Sequence, residues 1–223
     1  MSVCRRGARA ELGRRRASRP RRARRTEASA GGRRGKRQSC RLDTLEDFVT
    51  GVLANERHAT AIVPAIRGLI AHARARPDWL VVYSNDAHGA GDPEIAVWGK
   101  HAMAGTPGAG VIEALRPLGG EREIVSPKRH YGAFDGTTLD DESRRRGVGS
   151  VALVGQHTHC CVRHTAYGAF TRGLPVVVPE DAVCVFDGVD QAAALDYLRR
   201  MYGVTITTSA ALTGAATAEA AAG

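Results

Sequence analysis

The chain has 223 residues, 43% of them hydrophobic, which is enough for one α/β domain with a buried core. Residues 1–41 hold 16 of the 32 Lys and Arg residues but only 2 of the 23 Asp and Glu residues, so the rest of the chain carries a net charge of −5. The overall charge of +9 therefore does not indicate a basic, nucleic-acid-binding body, and no run approaches the ~20 apolar residues of a membrane span.

Residues 1–41 form an Arg-rich segment with almost no large apolar side chains. Such a segment cannot bury enough surface to offset its ordering entropy, so we expect a disordered tail. It could be a nucleic-acid-binding arm, a transit peptide or sequence that is not native to the protein. The arginines are not followed by an apolar run, which argues against a secretory signal.

From residue 42 onward, predicted helices alternate with predicted strands. The segment His58–Arg76 places four apolar side chains on one helical face, namely Ile62, Ile66, Leu69 and Ile70. The further helices expected are Gly108–Leu118, Cys160–Gly173 and Asp190–Gly203. The strands expected are Asp78–Asp86, Arg122–Ser126, Ser150–Gly155, Leu174–Asp181 and Val204–Thr208. This alternation predicts a three-layer α/β/α sandwich with a mostly parallel sheet over residues 42–208, followed by a frayed Ala-rich tail at 209–223.

Polar residues follow three of the predicted strands, in the sequences SNDAH, SPKRHY and GQHTHCC. Ligands of parallel α/β sheets collect beyond the carboxyl ends of the strands. We therefore expect one crevice to contain side chains from all three segments: Asp86, His88, Lys128 and Cys161.

The five cysteines do not form a disulfide pattern, because their number is odd and no C-x-x-C pair occurs. A reducing cytoplasm is the simplest compartment. Cys161 falls at the predicted start of a helix, where the helix dipole and unpaired N–H groups favour a nucleophilic thiolate. This stretch alone leaves open whether Cys161 is a nucleophile or a small buried residue.

The segment GQHTHCCVRHTAYGAFTRGLPVVVPEDAV resembles the signature of the isochorismatase-like cysteine hydrolases, in which the cysteine before Val-Arg is the nucleophile. The resemblance extends over about residues 42–208. It implies a Cys161 nucleophile, a proton-shuttling Asp43 in LDTLEDF, and Lys128 in SPKRHYGAF. It also implies a cis peptide between Gln156 and His157, and an oxyanion hole made by the backbone N–H groups of His157 and Cys161.

The nicotinamidase branch of this family adds a divalent metal, and its motif resembles NDAH and WGKHAMAGTPGAG in this chain. The resemblance implies zinc, or alternatively manganese or iron, bound by Asp86, His88 and His101. Two imidazoles and a carboxylate leave positions open for water and a substrate nitrogen.

The same resemblance assigns the substrate wall to Phe48, Trp98 and Tyr131. Asp92 and Glu94, in the adjacent sequence GDPE, could position a metal-bound water, but a solvated loop is the simpler interpretation.

The pattern breaks just before Asp43, where the family has a strongly apolar first strand. The sequence GGRRGKRQSCRL offers only Cys40 and Leu42 to such a strand, while Arg37 and Arg41 would have to bury their charges. One hypothesis is that residues 1 to about 41 are an out-of-frame translation, which the coding DNA would test.

These features together predict a metal-assisted cysteine amidohydrolase, with nicotinamide as the first candidate substrate. Another amide or carbamoyl hydrolase, or an isochorismatase-type hydrolase of the same fold, is the alternative. A nucleic-acid-associated protein acting through the basic tail is the alternative from a different class. We expect a cytoplasmic homo-oligomer that acts on a small carboxamide, without a nucleic-acid or membrane partner.

Overall fold

A computed structural model describes the backbone of residues 36–42 and the whole of residues 44–214. The described strands are β1 (Lys36–Leu42), β2 (Trp79–Ser84), β3 (Glu123–Val125), β4 (Val148–Gln156), β5 (Val176–Pro179), β6 (Val183–Cys184) and β7 (Thr205–Thr207). They form one parallel sheet in the order β3-β2-β1-β4-β5-β7, with β6 paired to β4.

The described helices are α1 (Glu46–Val49), α2 (Glu56–Arg74), α3 (Pro93–Trp98), α4 (Leu139–Arg145), α5 (Arg163–Thr171), α6 (Gln191–Tyr202) and α7 (Ser209–Thr213). A π-helical turn, Thr158–Val162, leads directly into α5. Gly203 ends α6 in the left-handed conformation at φ 66°, which glycine adopts without a steric penalty.

Helices cover both faces of the sheet, because β2 and β4 direct alternate side chains into two different clusters. Val82 and Leu153 belong to a cluster that includes residues of α4, α5 and α6. Val81 and Val154 belong to a second cluster, which contains the buried face of α2. The predicted three-layer α/β/α sandwich is confirmed.

The predicted helix around residues 58–76 is confirmed as α2, and its four expected apolar side chains are all buried. The predicted helix at 108–118 is wrong. Two 3₁₀ turns, Pro107–Ala109 and Glu113–Leu115, lie there instead. Gly108, Gly110 and Pro117 disfavour a continuous helix over so short a segment.

The domain extends beyond both predicted boundaries. Residues 36–41, assigned above to the tail, supply the backbone of β1, which pairs in register with β2 and β4. Ladder hydrogen bonds use main-chain groups, so an unfavourable sequence can still fill the central position of a parallel sheet. Residues 209–213 form α7, whose Ser209 N–H donates to the Asp181 carboxylate at 2.8 Å.

The remaining parts of the two predicted tails, residues 1–35 and 215–223, lie outside the described residues, as does Asp43. Within the described part of the chain, no helix is both long and apolar enough to cross a membrane.

The position of β1 predicts that a more apolar strand would stabilise the protein. Its partners in β2 and β4 are buried almost throughout, so valines in the central strand would extend both clusters. Replacing Arg37–Cys40 with four valines should raise the free energy of unfolding by several kcal/mol, at ~1.5–3 kcal/mol for each fully buried side chain.

Thermal and urea unfolding would measure this change. A four-alanine replacement of Arg37–Cys40 is the matched control, since it removes the same polar groups but adds less apolar area, and it should stabilise less. A lower melting temperature for the valine variant would show that the native residues pack specifically in β1.

Candidate active site

The segment that follows β2 is held on both sides by main-chain hydrogen bonds. On one side, Ala87 N–H donates to the Lys128 carbonyl and Lys128 N–H donates to the Asn85 carbonyl, both at 2.9 Å. On the other side, His88 N–H donates to the Ala102 carbonyl at 2.9 Å. This pairing brings the loops after β2 and β3 together with the segment around residue 102, at the carboxyl edge of the sheet.

A buried lysine connects the polar residues of this edge. The Lys128 ammonium donates to the Asp86 carboxylate, and its Nζ lies 3.9 Å from the Cys161 Sγ. Lys128 is 1% exposed, and Asp86 and Cys161 are also buried. His88 Nε2 lies 3.8 Å from the Asp86 carboxylate. The predicted convergence of these four side chains is confirmed.

Four buried side chains form a cluster with the composition of a metal site: Asp86, His88, Glu94 and His101. Each offers one ligand atom, and these atoms all lie within 4.8 Å of one another. Two imidazole nitrogens and two carboxylates suit zinc and other first-row divalent metals. The structure thus adds Glu94 to the three residues that the resemblance implies as ligands, Asp86, His88 and His101.

The hydrogen bonds of the two histidines use their Nδ1 atoms, which leaves each Nε2 available as a ligand atom. His88 Nδ1 lies 3.2 Å from the Asp92 carboxylate, and His101 Nδ1 lies 2.8 Å from the Gly99 carbonyl. Because both partners only accept, a neutral ring at either position carries its proton on Nδ1 and keeps a lone pair on Nε2. The buried His88 Nε2 has no hydrogen-bond partner among the described residues, as expected if it binds a metal.

The electrostatic surroundings of His88 also suit a metal ligand. Burial lowers its pKa, which favours the neutral imidazole that a metal requires, although Asp86 and Asp92 act in the opposite direction. Asp92 is itself fixed, because Arg129 donates to both of its oxygens and Gly89 N–H donates at 2.8 Å. The hydrogen bonds from Arg129 keep the pKa of Asp92 well below its usual range, so Asp92 stays ionised.

The sequence interpretation of GDPE as a solvated loop is wrong, because Asp92 and Glu94 are both buried. Asp92 is the N-cap of α3, Pro93 is its first residue, and Glu94 lies in its first turn. Pro at the first helical position after an Asp is a recognised start signal, and it could have revealed this helix.

Asp47 holds the backbone next to His101. Its carboxylate accepts from Ala102 N–H at 2.7 Å. Ala102 is fully buried and has φ 41°, a left-handed conformation that alanine rarely adopts. This contact connects α1 to the segment that carries His101, and no sequence motif indicated it.

Cys161 and three members of the cluster, Asp86, Glu94 and His101, line one cavity. The cavity is lined by Phe48, Leu53, Asp86, Glu94, Trp98, His101, Tyr131, His157, Cys160, Cys161 and Phe186. The three residues predicted to form the substrate wall, Phe48, Trp98 and Tyr131, all line this cavity. Trp98 Nε1 donates to the Tyr131 hydroxyl at 2.8 Å, which links two sides of the wall.

Phe186 completes the aromatic wall and was not predicted. Its ring stacks on His157 with a centroid distance of 3.7 Å and lies 5.7 Å from the Trp98 ring. It follows β6 closely, so the rule that sites form beyond the carboxyl ends of strands could have indicated it. A larger, more open cleft beside α2 has no cysteine or histidine in its described lining.

The peptide between Gln156 and His157 is cis, as the family resemblance implies. Around it, Asn55 Nδ2 donates to the Gln156 side chain at 3.2 Å and to the Val185 carbonyl at 3.0 Å, and Gln156 Nε2 donates to the Phe48 carbonyl at 3.4 Å. These buried amides tie together the segments that carry Phe48, His157 and Phe186.

The three described cysteines are free thiols. Burial raises the pKa of Cys184 to about 12, so this thiol stays protonated and unreactive. Cys160 is half-buried at the cavity, whereas Cys161 is buried beside the Lys128 ammonium. Lys128 therefore distinguishes the two adjacent cysteines.

Comparison with known proteins identifies relatives over most of the chain. Residues 41–210 match the isochorismatase domain. The uncharacterized isochorismatase family protein PncA of Bacillus subtilis is 32% identical over 175 residues, which cover 74% of this chain and 95% of that protein. The nicotinamidase/pyrazinamidase of Mycobacterium tuberculosis is 33% identical over 174 residues, with coverages of 71% and 91%.

Two solved structures share the fold. The N-carbamoylsarcosine amidase of Thermoplasma acidophilum superposes with a TM-score of 0.72 at 36% identity, covering 78% of this chain and 96% of that one. The pyrazinamidase of Pyrococcus horikoshii, in complex with zinc, superposes with a TM-score of 0.69 at 26% identity and coverages of 78% and 99%.

The contact between Asp92 and His88 predicts that Asp92→Asn weakens metal binding. The amide can present its NH₂ group to His88 Nδ1 and loses the charged bond to Arg129, so the imidazole is no longer fixed with Nε2 toward the cluster. Zinc affinity should fall about 10–100-fold, the usual effect of removing a carboxylate that orients a metal-ligand histidine.

Competition with a fluorescent zinc chelator would measure this affinity. Asp140→Asn is the matched control, because Asp140 also pairs with arginines but lies on α4. Equal affinities for the Asp92→Asn protein and the parent would contradict the assigned role of Asp92.

Proposed function

The chain belongs to the isochorismatase family, and we propose that it is a metal-assisted cysteine amidohydrolase that converts nicotinamide to nicotinate and ammonia. The observation that carries this proposal is the sharing of one cavity by a nucleophile and a metal cluster. Lys128 bonds to Asp86 of the cluster and lies 3.9 Å from the Cys161 thiol.

The proposed roles rest on the contacts of Lys128 and on the family resemblance. The Lys128 ammonium favours the Cys161 thiolate and offsets negative charge that develops beside it. The backbone N–H groups of His157 and Cys161 hold the carbonyl oxygen as it becomes an oxyanion. Asp43 lies outside the described residues, so its assignment as proton shuttle rests on the family resemblance.

The reaction proceeds in two halves. Cys161 Sγ attacks the carboxamide carbon, and the thiol proton passes through Asp43 to the amide nitrogen as the C–N bond breaks and ammonia leaves. Water then gives a proton to Asp43 and attacks the thioester carbon, the C–S bond breaks to release nicotinate, and Asp43 returns the proton to the Cys161 sulfur. A divalent metal held by Asp86, His88, Glu94 and His101 would act as a Lewis acid that binds the ring nitrogen and orients water.

The lining of the cavity favours a neutral aromatic amide over an amide that carries a carboxylate. Two acids, Asp86 and Glu94, line the cavity, and its described lining contains no arginine or lysine. The lining therefore offers a substrate carboxylate no side-chain ion-pair partner, while the charges of Asp86 and Glu94 are offset by Lys128 and by the proposed metal. Phe48, Trp98 and Phe186 instead offer flat apolar surfaces to a ring.

An N-carbamoyl amidase is the second candidate, because the Thermoplasma acidophilum enzyme has 36% identity to this chain. Ammonia release from nicotinamide, pyrazinamide and N-carbamoylsarcosine, with and without chelator, separates the two candidates. Turnover of N-carbamoylsarcosine alone, unaffected by chelator, would exclude the nicotinamidase proposal. Homo-oligomeric assembly and a cytoplasmic location stay predictions, and a role in NAD salvage is a further prediction that depends on the proposed substrate.

The different surroundings of the adjacent cysteines predict different effects of their removal. Cys161→Ala should reduce turnover by several orders of magnitude, because it removes the nucleophile. Cys160→Ala should retain much of the activity. Ammonia release and mass spectrometry of the iodoacetamide-labelled peptide would test both variants, and an active Cys161→Ala protein would contradict the assignment.

A loss of metal should affect substrate capture more than thiol reactivity. His101→Ala removes a cluster ligand but leaves the contact between Lys128 and Cys161 in place. We expect loss of bound metal and a rise in KM for nicotinamide of at least about tenfold, with little change in the rate of Cys161 alkylation.

Metal content, KM and alkylation rate would be measured on the same samples. His72→Ala is the control histidine variant. His72 lies on α2, packs against Trp79 of β2 and is not part of the cluster. A metal-free enzyme that remains fully active on nicotinamide would exclude the metal-assisted mechanism.

A further inference from the structure

His157 places an unsatisfied buried nitrogen at the wall of the cavity. Its side chain lines the cavity and is 3% exposed. Its Nε2 is fully buried and has no hydrogen-bond partner among the described residues. Buried polar atoms in native proteins nearly always have a partner, because leaving one unpaired is unfavourable. The missing partner must therefore come from elsewhere.

Two aromatic rings pack against the His157 imidazole. Phe186 stacks on one face of the ring at 3.7 Å, and Phe48 contacts it edge-on at 5.8 Å. Its backbone is also fixed, since the His157 carbonyl accepts from Cys160 N–H at 2.9 Å and from Val162 N–H at 3.2 Å. Because His157 lines the cavity, a molecule bound there is one source of the missing hydrogen bond.

The imidazole is uncharged under physiological conditions. Burial, and then the charges of His159 and Lys128, lower the pKa of His157 to about 3. The neutral ring has one N–H donor and one acceptor nitrogen. It can therefore form a hydrogen bond with an uncharged polar group, but it offers no ion pair to a carboxylate.

We propose that the His157 side chain is a specificity determinant that hydrogen-bonds an uncharged polar substituent of the substrate, other than its carboxamide and ring nitrogen. This inference rests on the proposed function, in which the metal takes the ring nitrogen and the His157 backbone N–H takes the carbonyl oxygen. The preferred substrate is then a hydroxyl- or amino-substituted heteroaromatic carboxamide, and nicotinamide itself leaves Nε2 unpaired.

Equilibrium binding to the zinc-loaded Cys161→Ala protein tests the proposal without turnover. Isothermal titration would compare nicotinamide with its ring-hydroxylated and ring-aminated analogues. At least one analogue should bind about tenfold more tightly than nicotinamide, the effect of satisfying one buried polar group. His157→Phe keeps the backbone N–H and the aromatic stack but removes the hydrogen bond, so it should abolish this preference.

Two further variants separate specificity from structure. His157→Asn keeps a hydrogen-bonding side chain and should restore part of the preference. His159→Phe is the matched control, because His159 also contacts Phe186 but does not line the cavity. It should leave the ratio of affinities unchanged.

The proposal is overturned if no analogue binds more tightly than nicotinamide, if nothing binds, or if His157→Phe weakens all ligands equally. Each result would mean that the His157 side chain does not select the substrate. Ammonia release from nicotinamide by the unmodified enzyme tests the proposed function separately. An enzyme inactive on nicotinamide, yet with His157-dependent discrimination among analogues, would retain the specificity role and lose only the proposed substrate.

Discussion

The site depends on one buried ammonium group and the two groups beside it. Lys128 is 1% exposed, and a charge in that position must be paired to be tolerated. Asp86 supplies the pair, and the Cys161 thiol lies within 3.9 Å of the same nitrogen. The lysine therefore connects the half of the site that binds metal with the half that attacks the substrate. Removing it would leave Asp86 buried without its ammonium partner.

The parallel sheet explains how residues so far apart in sequence meet at this ammonium. Asp86 follows β2, Lys128 follows β3, and Cys161 follows β4, so all three lie beyond carboxyl ends of strands. Short bridges extend the pairing past the strands themselves, between residues 86 and 128 and between residues 88 and 103. The backbone thus continues a sheet-like arrangement into the site, which fixes its side chains more firmly than free loops would.

The sequence predicted those parts of the site that follow directly from strand order and family motifs. The sequence correctly predicted that four side chains meet: Asp86, His88, Lys128 and Cys161. Each follows a strand of the parallel sheet, so all four lie at the same carboxyl edge. The burial of Glu94 was not predicted, because it depends on the six-residue helix α3. This helix is too short to show a clear apolar period in the sequence.

Two other features could not be predicted from local pattern. β1 forms at the centre of the sheet although its sequence is strongly basic, because pairing with strands on both sides is a property of the whole fold. Phe186 meets His157 and Trp98 only through the packing of distant segments.

The cavity combines two kinds of surface with different chemical tasks. One side carries the thiol, the lysine and the four-residue cluster, which suit hydrolysis of an amide whatever its substituents. The other side consists of Phe48, Phe186 and His157, whose stacking and single neutral hydrogen bond respond to the shape and polarity of the substrate. Substitutions of these side chains change the surface that meets the substrate, whereas the contacts of Lys128 with Asp86 and Cys161 come from other residues. This separation gives a physical reason why relatives with one fold can act on different amides.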